Sequence, residues 1–328
     1  MQKSNPSFSI GRRTAIALAL ASTLGASAWA QAWPSKPVRL VVGYSAGGGV
    51  DAMARLIAPR LSALLGQQVV VDNRTGAAGL IAGDTVARAA PDGYTLMLGD
   101  SSLLIAQHLQ PRMSFDPVKA FTPVAGVFTL PLVIVANNDV PAKTPAEFVK
   151  LLKENPGRYS YATSGVGTVH HLGFEMLKGQ ARTFVVHIPY RGASQIVPDV
   201  MSGQVPIGVV SATSAIAQAK AGKLRAVAVM NPVKLSGAED IAPLSDALPG
   251  FSAVPRLYVL APAGTPAAIV ERLSDSLRSV MEAPDIAQIA AQQGAVPAYM
   301  PAGPLAADIV RESAEWGKVI REQKITAQ

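Results

Sequence analysis

The chain has 328 residues and a formal charge of +7, with 49% hydrophobic, 16% charged and 5% aromatic residues and no cysteine. That length suits one large domain or two ordinary ones, and the apolar content excludes a disordered polar chain. The lack of cysteine excludes disulfides, thiolate nucleophiles, cysteine-ligated zinc, iron–sulfur clusters and lipoprotein anchoring.

Lys3, Arg12 and Arg13 precede an apolar run over 15–28, and Ala28-Trp29-Ala30 has the small-x-small form that a signal peptidase reads. About 14 apolar residues fall short of the roughly 20 that span a bilayer, so residues 1–30 read as a signal peptide cleaved after Ala30. Arg12-Arg13 leaves a twin-arginine route open, although Thr14-Ala15-Ile16 matches that signal poorly. Cleavage removes three of the 29 basic residues and none of the 22 acidic ones. The remaining small excess of positive charge shows no cluster, which argues against a nucleic-acid partner. The expected compartment is the periplasm.

The mature chain alternates short apolar strands with amphipathic helices, a pattern that predicts α/β architecture. A strand over 38–44 precedes a helix over 50–65 that stops at Gly66, and a second strand follows over 68–72. The small-residue loop 76–79 leads into a helix through 89, ended by Pro91-Asp92-Gly93, and 94–98 is the next strand. Thr144-Pro145-Ala146-Glu147 supplies an N-cap, a proline at the first helical position and the acid of a capping box, so a helix runs to about Asn155. Further strands are expected over 132–136, 184–188, 205–210 and 224–230, with helices over 266–282 and 304–324. The stretches around 123–131 and 231–255 give weak boundary signals.

Gly43-Tyr44-Ser45-Ala46-Gly47-Gly48-Gly49-Val50-Asp51 lies between a strand and a helix and admits three readings. Gly43-x-Ser45-x-Gly47 matches a nucleophile elbow, with Asp84 or Asp116 and His170, His171 or His187 as partners in chain order. It follows the first mature strand, however, which leaves no upstream strand to supply an oxyanion loop. Gly47-x-Gly49-x-x-Ala52 with Asp72 matches a dinucleotide fingerprint loosely, but Asp51 opposes a pyrophosphate there. The third reading is an anion cradle of helix-terminal N–H groups, with glycines allowing close approach. Ser164-Gly165-Val166-Gly167-Thr168 repeats that arrangement before a second helix. His170 and His171 point in different directions on a helix and make a poor metal pair. Tyr190 and Arg191 follow another strand, where Arg191 suits bidentate pairing with a carboxylate. No cofactor or metal is expected.

Taken together these residues resemble the Bug family of periplasmic solute-binding proteins, which serve tripartite tricarboxylate transporters. The resemblance is carried by Trp33-Pro34-Ser35-Lys36-Pro37, Gly47-Gly48-Gly49-x-Asp51-x-x-Ala54-Arg55 and Asp72-Asn73-Arg74-x-Gly76-Ala77-x-Gly79. It continues through Ala90 to Leu96, Phe115-Asp116-Pro117, Ser164-Gly165-Val166-Gly167-Thr168-x-His170-x-Leu172 and His187-x-Pro189-Tyr190-Arg191-Gly192. Gly203-Gln204-Val205, Ala221 to Arg225 and Pro262 to Pro266 complete it along nearly the whole mature chain.

The resemblance implies a type II, Venus-flytrap α/β protein, its ligand cleft lying between domains 31–130 plus 251–328 and 131–250. It implies a monomeric, non-enzymatic receptor that captures a small organic carboxylate and hands it to the membrane components of a tripartite tricarboxylate transporter. The runner-up is an exported serine hydrolase using Ser45. Carried over, the first jaw is Tyr44, Ser45, Ala46, Gly47, Gly48, Gly49 and Asp51, and the second is Ser164, Gly165, Val166, Gly167, Thr168 and His171. Tyr190, Arg191 and Ser211 stand nearby. Val209-Val210-Ser211-Ala212 departs from the aromatic and acidic residues of many relatives, so a cationic group on the ligand lacks a partner there.

Overall fold

The computed structural model describes residues 33–110 and 112–326, so the expected signal peptide lies outside the described residues. The chain folds as α/β, with eleven strands in two sheets and ten helices among the described residues.

The first half begins with β1 (Val38–Val42), in which only Arg39 escapes full burial. Helix α1 (Gly49–Leu65) follows and stops where Gly66 turns left-handed and its N–H donates to Ser62 O at 3.0 Å. Ser62 Oγ then accepts the N–H of Val69 at 2.8 Å, which turns the chain into β2 (Val69–Asn73). A 3-10 turn (Ala77–Gly79), α2 (Leu80–Ala87), β3 (Thr95–Asp100), α3 (Ser102–Leu109) and β4 (Phe121–Thr129) complete this stretch.

The chain then builds a second sheet from β5 (Leu132–Ala136), β6 (Ser160–Thr163), β7 (Val186–Pro189), β8 (Ile207–Ser211) and β9 (Arg225–Val229). The helices between them are α4 (Pro145–Glu154), α5 (Val169–Ala181), α6 (Ala193–Ser202) and α7 (Ala212–Lys220). Finally it returns to the first sheet through β10 (Arg256–Pro262), α8 (Ala267–Met281), α9 (Pro284–Gln292), β11 (Val296–Pro301) and α10 (Ala302–Glu322).

The strand orders are β11-β4-β10-β3-β1-β2 and β7-β6-β8-β5-β9. β1 is parallel to β2 and β3, and β6 is parallel to β7 and β8; the other pairings are antiparallel. The two passages between the sheets run side by side, with Leu130 N–H donating to Pro255 O at 2.9 Å.

Packing follows from the two-residue period of the central strand β5. Leu132, Ile134 and Ala136 join one core with Phe148, Leu172 and Phe174, whereas Val133 and Val135 join another with Ile196, Val200 and Ile216. The first of these cores also takes Ile105 and Leu109 of α3, and Trp316, Ile320 and Ile325 from the C-terminal region. The end of the chain therefore packs on the second sheet, although α10 begins at the edge of the first.

Sequence reading places most of these elements within two or three residues. It misses α3, α7, α9, β4, β10 and β11. The helix expected through 89 ends at Ala87, and the stretch 123–131, read as a boundary, belongs mostly to β4.

Candidate ligand-binding site

The loops at the C-terminal ends of β1, β2, β6 and β7 converge, as ligand crevices of α/β sheets do. Between them lies a cavity of ≈ 540 Å³. The first half lines it with Gly43, Thr75 to Gly79, Ile81 and Gln110, and the second with Ser164 to Val166 and Pro189 to Arg191. The lining holds one cationic side chain, Arg191, and no acidic one. No carboxylate lies within ion-pairing distance of Arg191 among the described residues.

Loop 75–79 is the wall that sequence reasoning left out of the site. Ala77 and Ala78 both have left-handed backbones, with φ of 48° and 56°, between Gly76 and Gly79. Each left-handed alanine costs about 1–2 kcal/mol, and strain of that kind collects at functional sites. Such turns present successive N–H groups as an anion-binding concavity. The loop lies so close to β1 that a Cβ on Gly43 would stand 2.6 Å from Gly79 Cα. Across the cavity, the Ala78 nitrogen is 3.7 Å from where a Cβ on Gly165 would stand.

Of the residues expected from sequence, Ser164, Gly165, Val166, Tyr190 and Arg191 line this cavity. Of the loop after β1, Gly43 lines this cavity. Tyr44 Oη donates to both oxygens of Asp100 at 3.1 Å. Ser45 Oγ accepts from Ser194 Oγ at 2.9 Å, while Ala46 and Gly47 face solvent. Gly47 N–H donates to Asp51 Oδ2 at 2.9 Å, and Gly48 N–H to Ser45 O at 3.2 Å.

Asp51 is 2% exposed and also accepts from Arg55 Nε and Asn73 Nδ2. Burial pushes its carboxyl up, but the bonds from Arg55, Gly47 and Asn73 outweigh this and hold it below the usual range. It is the acid that braces the loop. Gly49 packs on the second half: a Cβ there would meet Ser211 Oγ at 2.3 Å and Ser211 Cβ at 2.7 Å. Ser211 Oγ itself bonds Thr213 Oγ1 at 2.6 Å.

In the second loop Thr168 caps α5, accepting the His171 N–H at 3.2 Å and donating to Gly165 O at 2.8 Å. Gly167 N–H donates to His171 Nδ1 at 3.3 Å. His171 belongs to a separate cavity of ≈ 300 Å³ with His187, Glu175 and Lys178, and its ring stacks on His187 at 4.3 Å. Burial drives His170 and His171 down to about 4 and His187 to about 3, so all three are neutral at pH 7. Tyr190 Oη donates to Asp199 at 2.6 Å, which pushes the phenol up to about 12.

Among the described residues none of His170, His171 and His187 bonds to Ser45, whose hydroxyl instead accepts from Ser194. Asp72 pairs with Arg39 and Arg74 rather than standing free for a ribose. Among the described residues no cluster of three or more metal-ligating side chains occurs.

The sequence profile of the tripartite tricarboxylate transporter family receptors matches residues 53–325. A UPF0065 protein from the tcbD–tcbE intergenic region of Pseudomonas sp. strain P51 is 35% identical over 323 residues, covering 97% of this chain and 96% of its own. The solved periplasmic binding protein BugD superposes with a TM-score of 0.86 at 29% identity, covering 90% of this chain and 100% of that one. R. palustris Rpa4515, solved with adipate, gives 0.86 at 29% identity, with 90% and 99% covered. The chain belongs to the tripartite tricarboxylate transporter family receptors, of the Bug type, with the α/β fold of periplasmic binding proteins.

Proposed function

We propose that this chain is an exported periplasmic receptor that captures a small organic carboxylate in the cavity between its two halves and hands it, chemically unchanged, to the membrane components of a tripartite tricarboxylate transporter. The observation that carries this reading is the lining: loops 75–79 and 164–166, one arginine without an acidic partner among the described residues, and no acid. Hydrogen bonds from such groups to an anion contribute about 1.5–3 kcal/mol each, so a few suffice for micromolar binding. Adipate, bound by the related Rpa4515, has the right chemistry. The two halves act as domains 31–130 plus 251–328 and 131–250 in a monomer. Residues 1–30 are removed after Ala30. Among the described residues no helix is long and apolar enough to cross a membrane.

The test is a thermal-shift screen of mono-, di- and tricarboxylates and aromatic acids, each beside its uncharged amide. Binding only to the folded state stabilises by about 2.7 kcal/mol at a hundredfold excess over Kd. At least one acid should raise the melting temperature, its amide should not, and the acid should be recovered intact. Equal shifts from acid and amide, or a hydrolysed ligand that is spared by Ser45→Ala, would overturn the reading.

A further inference from the structure

Asp100 ends β3 and is 3% exposed. Besides the Tyr44 hydroxyl, its carboxylate accepts the Ser102 N–H at 3.2 Å and the Ser102 hydroxyl at 3.1 Å. Ser102 Oγ in turn accepts the N–H of Val169, the first residue of α5, at 3.3 Å. Tyr44 follows Gly43, and its ring end lies 3.9 Å from a Cβ position on Gly79; both glycines line the cavity. Val169 continues the loop that lines the opposite wall. A single buried acid thus stands one side chain behind both walls of the ligand cavity, one wall from each half.

We propose that Asp100 takes up a proton when a carboxylate enters this cavity, so that capture of the anion and protonation of one buried acid are coupled. The inference rests on the carboxylate-receptor reading above. An incoming anion is drawn to N–H groups on the same two loops that Asp100 braces. Its charge adds to one already buried, which favours the neutral form of Asp100. The group is poised to respond. Burial, the largest influence, pushes its carboxyl up to about 7; the bonds from Tyr44 and Ser102 oppose this, and Glu312 adds to it.

The other titratable or charged groups around it do not mask the effect. Tyr44 and Tyr258 of β10 are buried phenols raised well above their ordinary value. Glu312 of α10 accepts from Ser101 Oγ at 2.5 Å, with Arg256 and Asp308 paired beyond it. His108 on α3 and His170 on α5 are both lowered by burial. Glu312 is raised as well, but it lies beyond Ser101, one residue further from the cavity walls.

Taking an illustrative separation of about 8 Å and an effective dielectric near 20, the two charges give a roughly thirtyfold difference in affinity between the two forms of Asp100. With a free midpoint near 7, about tenfold of that falls between pH 7 and pH 9, where adipate and malate are fully ionised.

The experiment is calorimetric titration with adipate and malate at pH 7 to 9 in buffers of differing ionisation enthalpy, alongside carboxyl-carbon NMR of Asp100 without ligand. Uptake of about half a proton or more per acid at pH 7.5 is expected, with binding about tenfold weaker at pH 9 than at pH 7. Asp100→Asn should abolish both the uptake and the pH dependence, while Glu312→Gln should keep them. Tyr44→Phe removes a donor to the ionised form and should move the profile to higher pH, which serves if Asp100→Asn does not fold. Proton-silent binding, uptake that survives in Asp100→Asn, or an Asp100 midpoint near 4 overturns the coupling and leaves the receptor reading standing. Failure of every acid in the screen to bind overturns the receptor reading, and the coupling with it.

Discussion

A methyl group added at Gly49 tests whether ligand affinity depends on how closely the two halves approach. In Gly49→Ala the new carbon would stand 2.7 Å from Ser211 Cβ, with the Ser211 and Thr213 hydroxyl oxygens at 2.3 and 2.5 Å. Carbon atoms pack at about 3.5–4.0 Å, so the contact must open by about 1 Å. The hydroxyls can rotate away, but Ser211 Cβ is fixed in β8 and Gly49 in the first turn of α1. The displacement therefore falls on the spacing of the halves. Overpacking of this size costs about 1–3 kcal/mol, which becomes a loss of about five- to 150-fold in carboxylate affinity.

The same substitution favours helix α1 itself by up to about 1 kcal/mol, so the ligand-free protein should remain folded. Calorimetric titration with the strongest acid from the screen reads the loss. Adding Ser211→Gly, which removes both the Cβ and the hydroxyl, should restore most of it. Parental affinity in Gly49→Ala, or no rescue in the double variant, would refute the reasoning.

The buried histidines set an acid limit. His170, His171 and His187 have folded values below the unfolded value near 6.5, so their contribution is complete above that pH and is lost as the pH falls towards 4 and 3. His171→Asn, which keeps an acceptor for the Gly167 N–H, should remove about 3 kcal/mol of the difference in stability between pH 7 and pH 4, measured by urea unfolding. Thr168→Ala deletes the cap of α5 and should cost about 1 kcal/mol in the same assay, with Thr168→Ser recovering most of it; an unchanged midpoint in Thr168→Ala would show that the cap carries no load.

The sequence is legible where its signals are local. Gly66 ends α1 in a left-handed turn, and Thr144 and Glu147 form their capping pair, with Glu147 N–H donating to Thr144 Oγ1 and Glu147 itself accepting from Lys143 N–H. The second loop, Ser164 to Val166, was visible as a small-residue turn before a capped helix. The missed elements lack such marks. β4 carries Pro123 inside it, at an irregularity in its register with β10. β10 is apolar on both faces, so it shows no alternation. The wall built by loop 75–79 escapes a reading of the sequence for a related reason. Glycines draw attention to 47–49, where the Gly47 and Gly48 N–H groups bond Asp51 Oδ2 and Ser45 O. The left-handed turn that faces the cavity is built on two alanines, Ala77 and Ala78, whose identity gives no hint of positive φ.

The close of the chain on the second sheet has a consequence for the order in which the molecule takes shape. Trp316, Ile320 and Ile325 fill the same core as Leu132, Phe148 and Phe174, and β10 and β11 complete the first sheet only after residue 255. During synthesis from the N-terminus, each half therefore waits for segments made last, and neither can finish as a unit while the ribosome is still adding residues. Loss of the final dozen residues would leave a hole in the core of a half that ends, by sequence, some eighty residues earlier. Closure of each half thus depends on contacts between residues far apart in sequence, the kind that form slowly.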